Sequence, residues 1–207
     1  MSRSGPQASL EAANGAEAAA SDEELAPDGT QGHSWLVLVY RIQSEPSRLR
    51  AAVWRRLKTL GAIYLQAGTV AIPYSAASER AMRILHKDIG RMAGSSILLR
   101  CEPLAGETDA INAFNAARGD EYGEIIRKCE DFLQQLEREH LAEHFTFAEL
   151  EENEVDLVKL QSWLAKVRAR DAFAAPGRRA AEQLLQRCAE ALEQYADRVY
   201  MLDADVN

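Results

Sequence analysis

The fold is decided in WLVLVYRIQSEPSRLRAAVWRRLKTLGAIYLQAGTVAIP, residues 35–73. Its first eight residues have the continuous apolar, β-branched character of a strand that is central in its sheet or covered on both faces. A helix is predicted next, with Ser44 or Glu45 as its cap and Pro46 in its first turn. Gly61 lies just past the last apolar position and is expected to end this helix.

Two short strands, AIYLQ and TVAIP, then flank Ala67-Gly68 and predict a hairpin. SERAMRILHKDIGRMAG, residues 78–94, predicts a second helix with Ser78 as cap and Gly94 as its end. SILLRC, residues 96–101, predicts a fourth strand. The resulting order of strand, helix, strand, strand, helix, strand is the split βαβ, or ferredoxin-like, arrangement, and we expect it to form a domain over residues 34–104.

Beyond Pro103 the apolar spacing is purely helical. A first helix is predicted from Thr108 to about His140, although Gly119 and Gly123 could break it into two pieces. The fold class is therefore α+β, with an antiparallel array of about three long helices over residues 105–203.

Two further helices complete this predicted array. The second is predicted to begin at Thr146, where Glu149 completes a capping box, and to run to about Phe173. Pro176-Gly177 separates it from the third helix. The apolar face of that third helix is predicted to hold Leu184, Cys188, Ala191, Tyr195 and Val199.

Charge is distributed unevenly along the chain. Residues 34–100 carry eleven bases and three acids, a net charge of +8 in a chain whose total is −8. Residues 1–33 hold one base and six acids with few branched or aromatic residues, which predicts a disordered acidic tail. Residues 101–207 carry a net charge of −11. A basic domain between acidic segments predicts an anionic partner.

Composition excludes several classes of protein. The longest apolar run is far shorter than the ~20 residues that cross a bilayer, and the N-terminus lacks the pattern of a secretory signal. We therefore expect a cytoplasmic protein without a membrane partner. Cys101, Cys129 and Cys188 are odd in number and far apart, which favours free thiols over disulfides or a zinc site.

The candidate binding site is the first predicted helix together with the end of the first strand. Guanidinium groups bind phosphate and other oxyanions through paired hydrogen bonds, and each neutralised phosphate releases a counterion. DNA and a small oxyanion both fit this chemistry. The alternative is a solvated helix face that pairs with the acidic helices of the same molecule or of a second copy. The candidate residues are Arg41, Arg48, Arg50, Arg55, Arg56 and Lys58, with the indole of Trp54 among them.

Catalytic chemistry finds little support in the sequence. Arg41 ends the first strand where ferredoxin-like nucleases of the CRISPR integration system carry a metal-binding Asp, and a cation there cannot hold a divalent metal. His140 and His144 are spaced for one helix face, but no third ligand accompanies them. The sequence therefore predicts no catalytic residue, metal or cofactor, and no enzyme.

Four segments together resemble the N-terminal domain of the ChrB chromate-resistance family. They are SEPSRLRAAVWRRLKTLGAIYLQAGTVAIP, EYGEIIRKCEDFLQQLE, FTFAELEENE and KLQSWLAKVRARDAF, and the resemblance spans residues 34–202. The sheet portion is also similar to the central domain of the phenylacetate-catabolism repressors. Longer ChrB members continue into a separate C-terminal chromate-resistance domain, and whether DNA binding needs that domain stays open.

The resemblance implies a chromate-responsive transcription regulator of an efflux system. We therefore expect a cytoplasmic homodimer that binds operator DNA, chromate or a similar oxyanion, or both, through its basic helix. Two alternatives from other classes stay open. One is an enzyme, either a thiol-dependent chromate reductase or a degenerate nuclease of ferredoxin fold, and the other is a non-catalytic protein-interaction module.

Overall fold

The computed structural model describes residues 32–206, except Ser44. Residues 1–31 of the predicted tail and the proposed Ser44 cap therefore lie outside the described residues. The elements are β1 Trp35–Arg41, α1 Ser47–Leu60, β2 Ile63–Gln66, β3 Thr69–Pro73, α2 Ala76–Arg91, β4 Ser95–Cys101, α3 Glu107–Leu141, α4 Phe147–Ala169 and α5 Arg178–Val206.

The four strands form one antiparallel sheet in the order β2-β3-β1-β4. β1 is central, as its continuous apolar run predicted, and Leu38 pairs with Val70 of β3 and Leu98 of β4. The sequence order and this strand order together make the predicted ferredoxin-like arrangement, which the structure confirms.

The sheet is covered on both faces near the start of β1. Leu36 and Leu38 are buried on the face that α1 and α2 cover. Trp35 points to the opposite face, because side chains alternate along a strand. There its ring centroid lies 6.3 Å from that of Phe114 in α3 and 5.8 Å from that of Phe173. The beginning of α3 therefore packs against the sheet.

The three long helices enclose a second apolar cluster. α3 continues without a break through Gly119 and Gly123, so the predicted interruption does not form. α5 buries Leu185 and Leu192, whereas the predicted Leu184 and Ala191 are only partly buried. Among the described residues no helix is long and apolar enough to cross a bilayer. The division into domains 34–104 and 105–203 stays a prediction.

Several predicted helix ends need correction. Pro46 precedes α1 as its N-cap, and no side chain among the described residues, Glu45 included, caps that helix. Ser75, not Ser78, is the N-cap of α2, because the two hydroxyls form a reciprocal capping box in which Ser78 is the third helical residue. α4 ends at Ala169, before Phe173.

Other helix ends agree with the sequence. The Thr146 hydroxyl accepts a hydrogen bond from the Glu149 amide, so the predicted cap of α4 forms, and among the described residues this is the only half of the predicted capping box that is present. Gly61 adopts φ 79° as the C-cap of α1. Gly94, by contrast, lies two residues beyond the cap of α2, and the left-handed residue there is Ala93 at φ 55°.

Candidate anion-binding site

Helix α1 presents all five of its predicted bases to solvent. Val53 and Leu57 are its buried residues, and burial of that stripe turns the remaining faces outward. Among the residues that the structure describes, none of the five bases lies within ion-pair distance of a carboxylate. Pairing with the acidic helices of the same molecule is therefore not formed in the described chain. The exposed bases are Arg48, Arg50, Arg55, Arg56 and Lys58.

The basic residues of α2 and β4 have partners more often. Arg83 lies 2.6 Å from Glu79, and Arg91 lies 2.9 Å from Asp88. The Arg100 guanidinium lies 3.7 Å from the centroid of a tyrosine ring. These contacts occupy three cations locally. The two other bases of α2, Arg80 and Lys87, are exposed and lie within ion-pair distance of no carboxylate among the described residues, so they add to the positive charge that α1 offers to another molecule.

One flank of α1 borders a cleft against α3. The Lys58 ammonium lies 5.4 Å from the centroid of the Trp54 ring, and half of the Trp54 surface is exposed. The cleft has a volume of about 590 Å³, and its α3 wall carries both acids and bases. Its charged and aromatic lining consists of Trp54, Lys58, Tyr64, Arg118, Asp120, Glu121, Glu124 and Arg127.

Arg41 lies apart from that cleft. It ends β1 opposite Ser95 of β4 and lines a separate cleft of about 500 Å³ with Ala93 and Gly94. β2 begins level with Val37, so the C-terminal end of α1 lies near the opposite end of the sheet. The structure therefore spreads the six predicted residues along α1 and the end of β1 and does not gather them around one point.

A buried charged cluster at the C-terminal end of α1 was not predicted. The Arg118 side chain, in a residue only 3% exposed, donates to the carbonyl oxygen of Gly61 at 2.9 Å. Arg170 donates to the carbonyl oxygen of Thr59 at 3.4 Å, and Glu121 contacts both arginines. Burial lowers the pKa of Arg118, and Glu121 opposes that shift. The missed signal was an arginine on the apolar stripe of α3, four residues after Phe114 and four before Tyr122.

Two of the three free thiols meet inside the helical cluster. Cys129 of α3 and Cys188 of α5 are both buried, and the Cys188 thiol donates to the Cys129 carbonyl oxygen at 3.5 Å. The hydrogen bond with Cys129, together with burial, raises the pKa of Cys188 well above its usual range. Such a thiol is protonated and shielded from solvent, whereas Cys101 is exposed.

The two histidines considered as metal ligands, His140 and His144, instead make structural contacts near the turn between α3 and α4. The His140 ring packs edge-on against Phe145, and the His144 carbonyl oxygen accepts a hydrogen bond from the Tyr195 hydroxyl at 2.6 Å. Within residues 32–206, Ser44 aside, no group of three or more potential metal ligands is assembled. The structure gives this pair a role in closing the turn between α3 and α4.

Comparison with known proteins identifies a family to which the chain is similar. The model of the family "Protein ChrB, N-terminal" matches residues 50–206, which is most of the chain. No curated protein and no solved structure matches significantly. The family is of a regulatory type and is associated with chromate resistance. The chain belongs to the ChrB N-terminal family.

Proposed function

We propose that this chain is a chromate-responsive transcription regulator that binds operator DNA through α1. The observation that carries the proposal is the set of five exposed bases on α1 that lack a carboxylate partner in the described chain. Cations that no internal acid neutralises are free to replace the counterions of a nucleic acid.

The spacing of these bases favours a polyanion over a single small anion. The 14 residues of α1 extend over about 21 Å at 1.5 Å per residue. Arg48 and Arg55 are seven residues apart and share one side of the helix, about 10 Å from each other along its axis. A tetrahedral oxyanion can contact only neighbouring members of such a row, whereas a DNA strand offers phosphates along its whole length.

Chromate enters the proposal as a competitor. It is a doubly charged tetrahedral oxyanion, and guanidinium groups bind such anions with the chemistry they use for phosphate. We propose that chromate occupies or rearranges the bases of α1 and thereby weakens the complex with DNA. The regulator is expected to act in the cytoplasm as a homodimer, and light scattering of the purified chain would measure its molar mass.

Fluorescence anisotropy tests the proposal with labelled DNA from the promoter upstream of the gene for this chain. The full chain is expected to bind at low salt, and chromate is expected to release the DNA at concentrations where sulfate releases less. A scrambled DNA of the same length is the control for non-specific binding. No binding at low salt would contradict the DNA part, and identical release by chromate and sulfate would contradict the chromate part.

A further inference from the structure

We propose that Arg118, Glu121 and Arg170 form a charged cluster that fixes the C-terminal end of α1 and thereby sets the affinity of α1 for DNA. The effect on DNA rests on the function proposed above, whereas the mechanical effect on α1 does not. The three are positioning residues. Their expected role is to hold the helix whose exposed bases meet the phosphates.

The cluster meets a need of α1 itself. The last carbonyl groups of a helix have no partner within the helix, and positive charge near them is favourable. The carbonyl oxygens of Thr59, in the last turn of α1, and of its C-cap Gly61 accept hydrogen bonds from Arg170 and Arg118, respectively. Both donors come from the helical part of the molecule, so that part supplies the C-terminal partners of α1.

Steric contact also fixes the C-terminal end of α1. Gly61 adopts φ 79°, and a Cβ atom there would lie 2.8 Å from Cδ of Arg170 and would overlap the Arg118 guanidinium. The backbone of α1 therefore ends in direct contact with both arginines. We therefore expect a change in the position of either arginine to loosen the last turn of α1, which includes Lys58.

Glu121 holds the two arginines together. Its carboxylate lies 3.1 Å from Nε of Arg118 and accepts a hydrogen bond from Arg170 at 2.9 Å. The side chains of Arg118 and Arg170 are only 4% and 20% exposed, so water screens their mutual repulsion weakly. Without the carboxylate, the buried charge of Arg118 and the partly buried charge of Arg170 would lie close together at the end of α1 with no anion between them.

The cluster also connects with the packing of the long helices. Asp171, next to Arg170, accepts hydrogen bonds from the Tyr122 hydroxyl at 3.0 Å and from the Ala175 amide at 3.0 Å. Arg178, the first residue of α5, lies 3.7 Å from the same Asp171 carboxylate. Two sets of polar contacts, joined by the chain at Arg170-Asp171, therefore bring α3, the C-terminal end of α4 and the start of α5 together near the end of α1.

The test compares Glu121→Gln with Glu124→Gln in the full chain. Glu124 lies one turn further along α3, lines the same cleft, is exposed, and has no ion-pair partner among the described residues. Each change removes one negative charge, which by simple electrostatics should tighten DNA binding. If the cluster positions α1, Glu121→Gln should instead weaken DNA binding. Its Kd for the labelled promoter DNA should rise about five- to tenfold. The salt dependence should stay unchanged, because no phosphate contact is lost.

A second measurement does not depend on DNA. The amides of Gly61 and Ala62 donate to carbonyl oxygens of Lys58 and Leu57, and their hydrogen exchange reports opening of the last turn of α1. Faster exchange is expected in Glu121→Gln and unchanged exchange in Glu124→Gln. If the wild-type chain binds no DNA, the proposed function fails while this comparison still decides on the cluster.

If Glu121→Gln does not fold, a milder change tests the same cluster. Arg170→Gln removes the bonds to Thr59 and Glu121 from a partly exposed position, and Arg168→Gln two residues earlier is its matched control. Faster exchange at Gly61 is expected only in Arg170→Gln. Equal exchange in each variant and its control, or equal Kd values for Glu121→Gln and Glu124→Gln, would overturn the proposal.

Discussion

The Arg118 guanidinium donates a hydrogen bond to the carbonyl oxygen of Gly61, 57 residues earlier in the chain, at 2.9 Å. This contact joins the longest helix to the end of the most basic one. It is buried and charged, and hydrogen bonds of that kind contribute more to stability than neutral ones exposed to water.

Replacement of Gly61 should reduce the stability of the fold strongly. We expect Gly61→Ala to lower the free energy of unfolding by about 2–4 kcal/mol, because a left-handed residue gains a Cβ atom and that atom collides with two arginines. Gly106→Ala is the matched control, since Gly106 has φ 75° but open space around its Cβ position. Urea unfolding measures both variants. If both variants lose the same free energy of unfolding, the close approach of the two arginines to Gly61 contributes nothing to the effect of Gly61→Ala.

Thiol reactivity should divide the three cysteines. We expect one thiol per chain, Cys101, to react with Ellman's reagent in the native protein, and all three to react after unfolding in urea. Cys129 and Cys188 are buried, and the raised pKa of Cys188 keeps it in the unreactive thiol form. Cys101→Ser should abolish the native reaction. Rapid reaction of two or more thiols in the native wild-type chain would contradict this assignment.

The thiols also provide a test of the reductase alternative. If they reduced chromate, loss of chromate in the presence of a thiol donor would fall when all three cysteines are changed to serine. We expect chromate to be lost at the same rate with the wild-type chain, with the triple variant and in a solution without protein. A faster rate with the wild-type chain than with the triple variant would support an enzyme.

Stability should fall at alkaline pH. Burial raises the pKa of Tyr122 above its ordinary value, and the hydrogen bond from its hydroxyl to Asp171 adds to the shift. An unfolded tyrosine ionises near pH 10, so its contribution is complete below about pH 10 and is lost as the pH rises through the folded pKa. We expect Tyr122→Phe to be less stable than wild type at pH 8 and to lose less stability between pH 9 and pH 11.

Urea unfolding at several pH values measures this difference in slope. Tyr200→Phe is the control, because Tyr200 is exposed near the end of α5. Parallel pH profiles for wild type and Tyr122→Phe would refute the role given to the buried hydroxyl.

The sheet could be predicted because its determinants are local. The apolar run from Trp35, the turn at Gly68 and the left-handed end at Gly61 each specify their element through nearby residues, and all three are found in the structure. The helix ends were less predictable. Ser75 and Ser78 are both competent caps, and only their reciprocal bonding shows which one lies at the N-cap.

The unpredicted features depend on contacts between distant segments. Arg118 meets Gly61 and Arg170 meets Thr59 only after the long helices fold back on the sheet, and Cys188 meets Cys129 across two helices. α3 is continuous because packing of its apolar stripe outweighs the weak helix propensity of Gly119 and Gly123. The six predicted binding residues were recognised by charge, but charge could not show that they spread along α1 and the end of β1.

The salt dependence of promoter binding tests the central claim most directly. Arg55→Ala combined with Arg56→Ala removes two unpaired bases of α1, while Arg83→Ala combined with Arg91→Ala removes the same charge from bases already paired with acids. A plot of log K against log salt should become shallower by about 1.8 for the α1 variant, at ~0.9 per lost phosphate contact, and should barely change for the α2 variant. Equal slopes in wild type and the α1 variant would contradict DNA binding through α1.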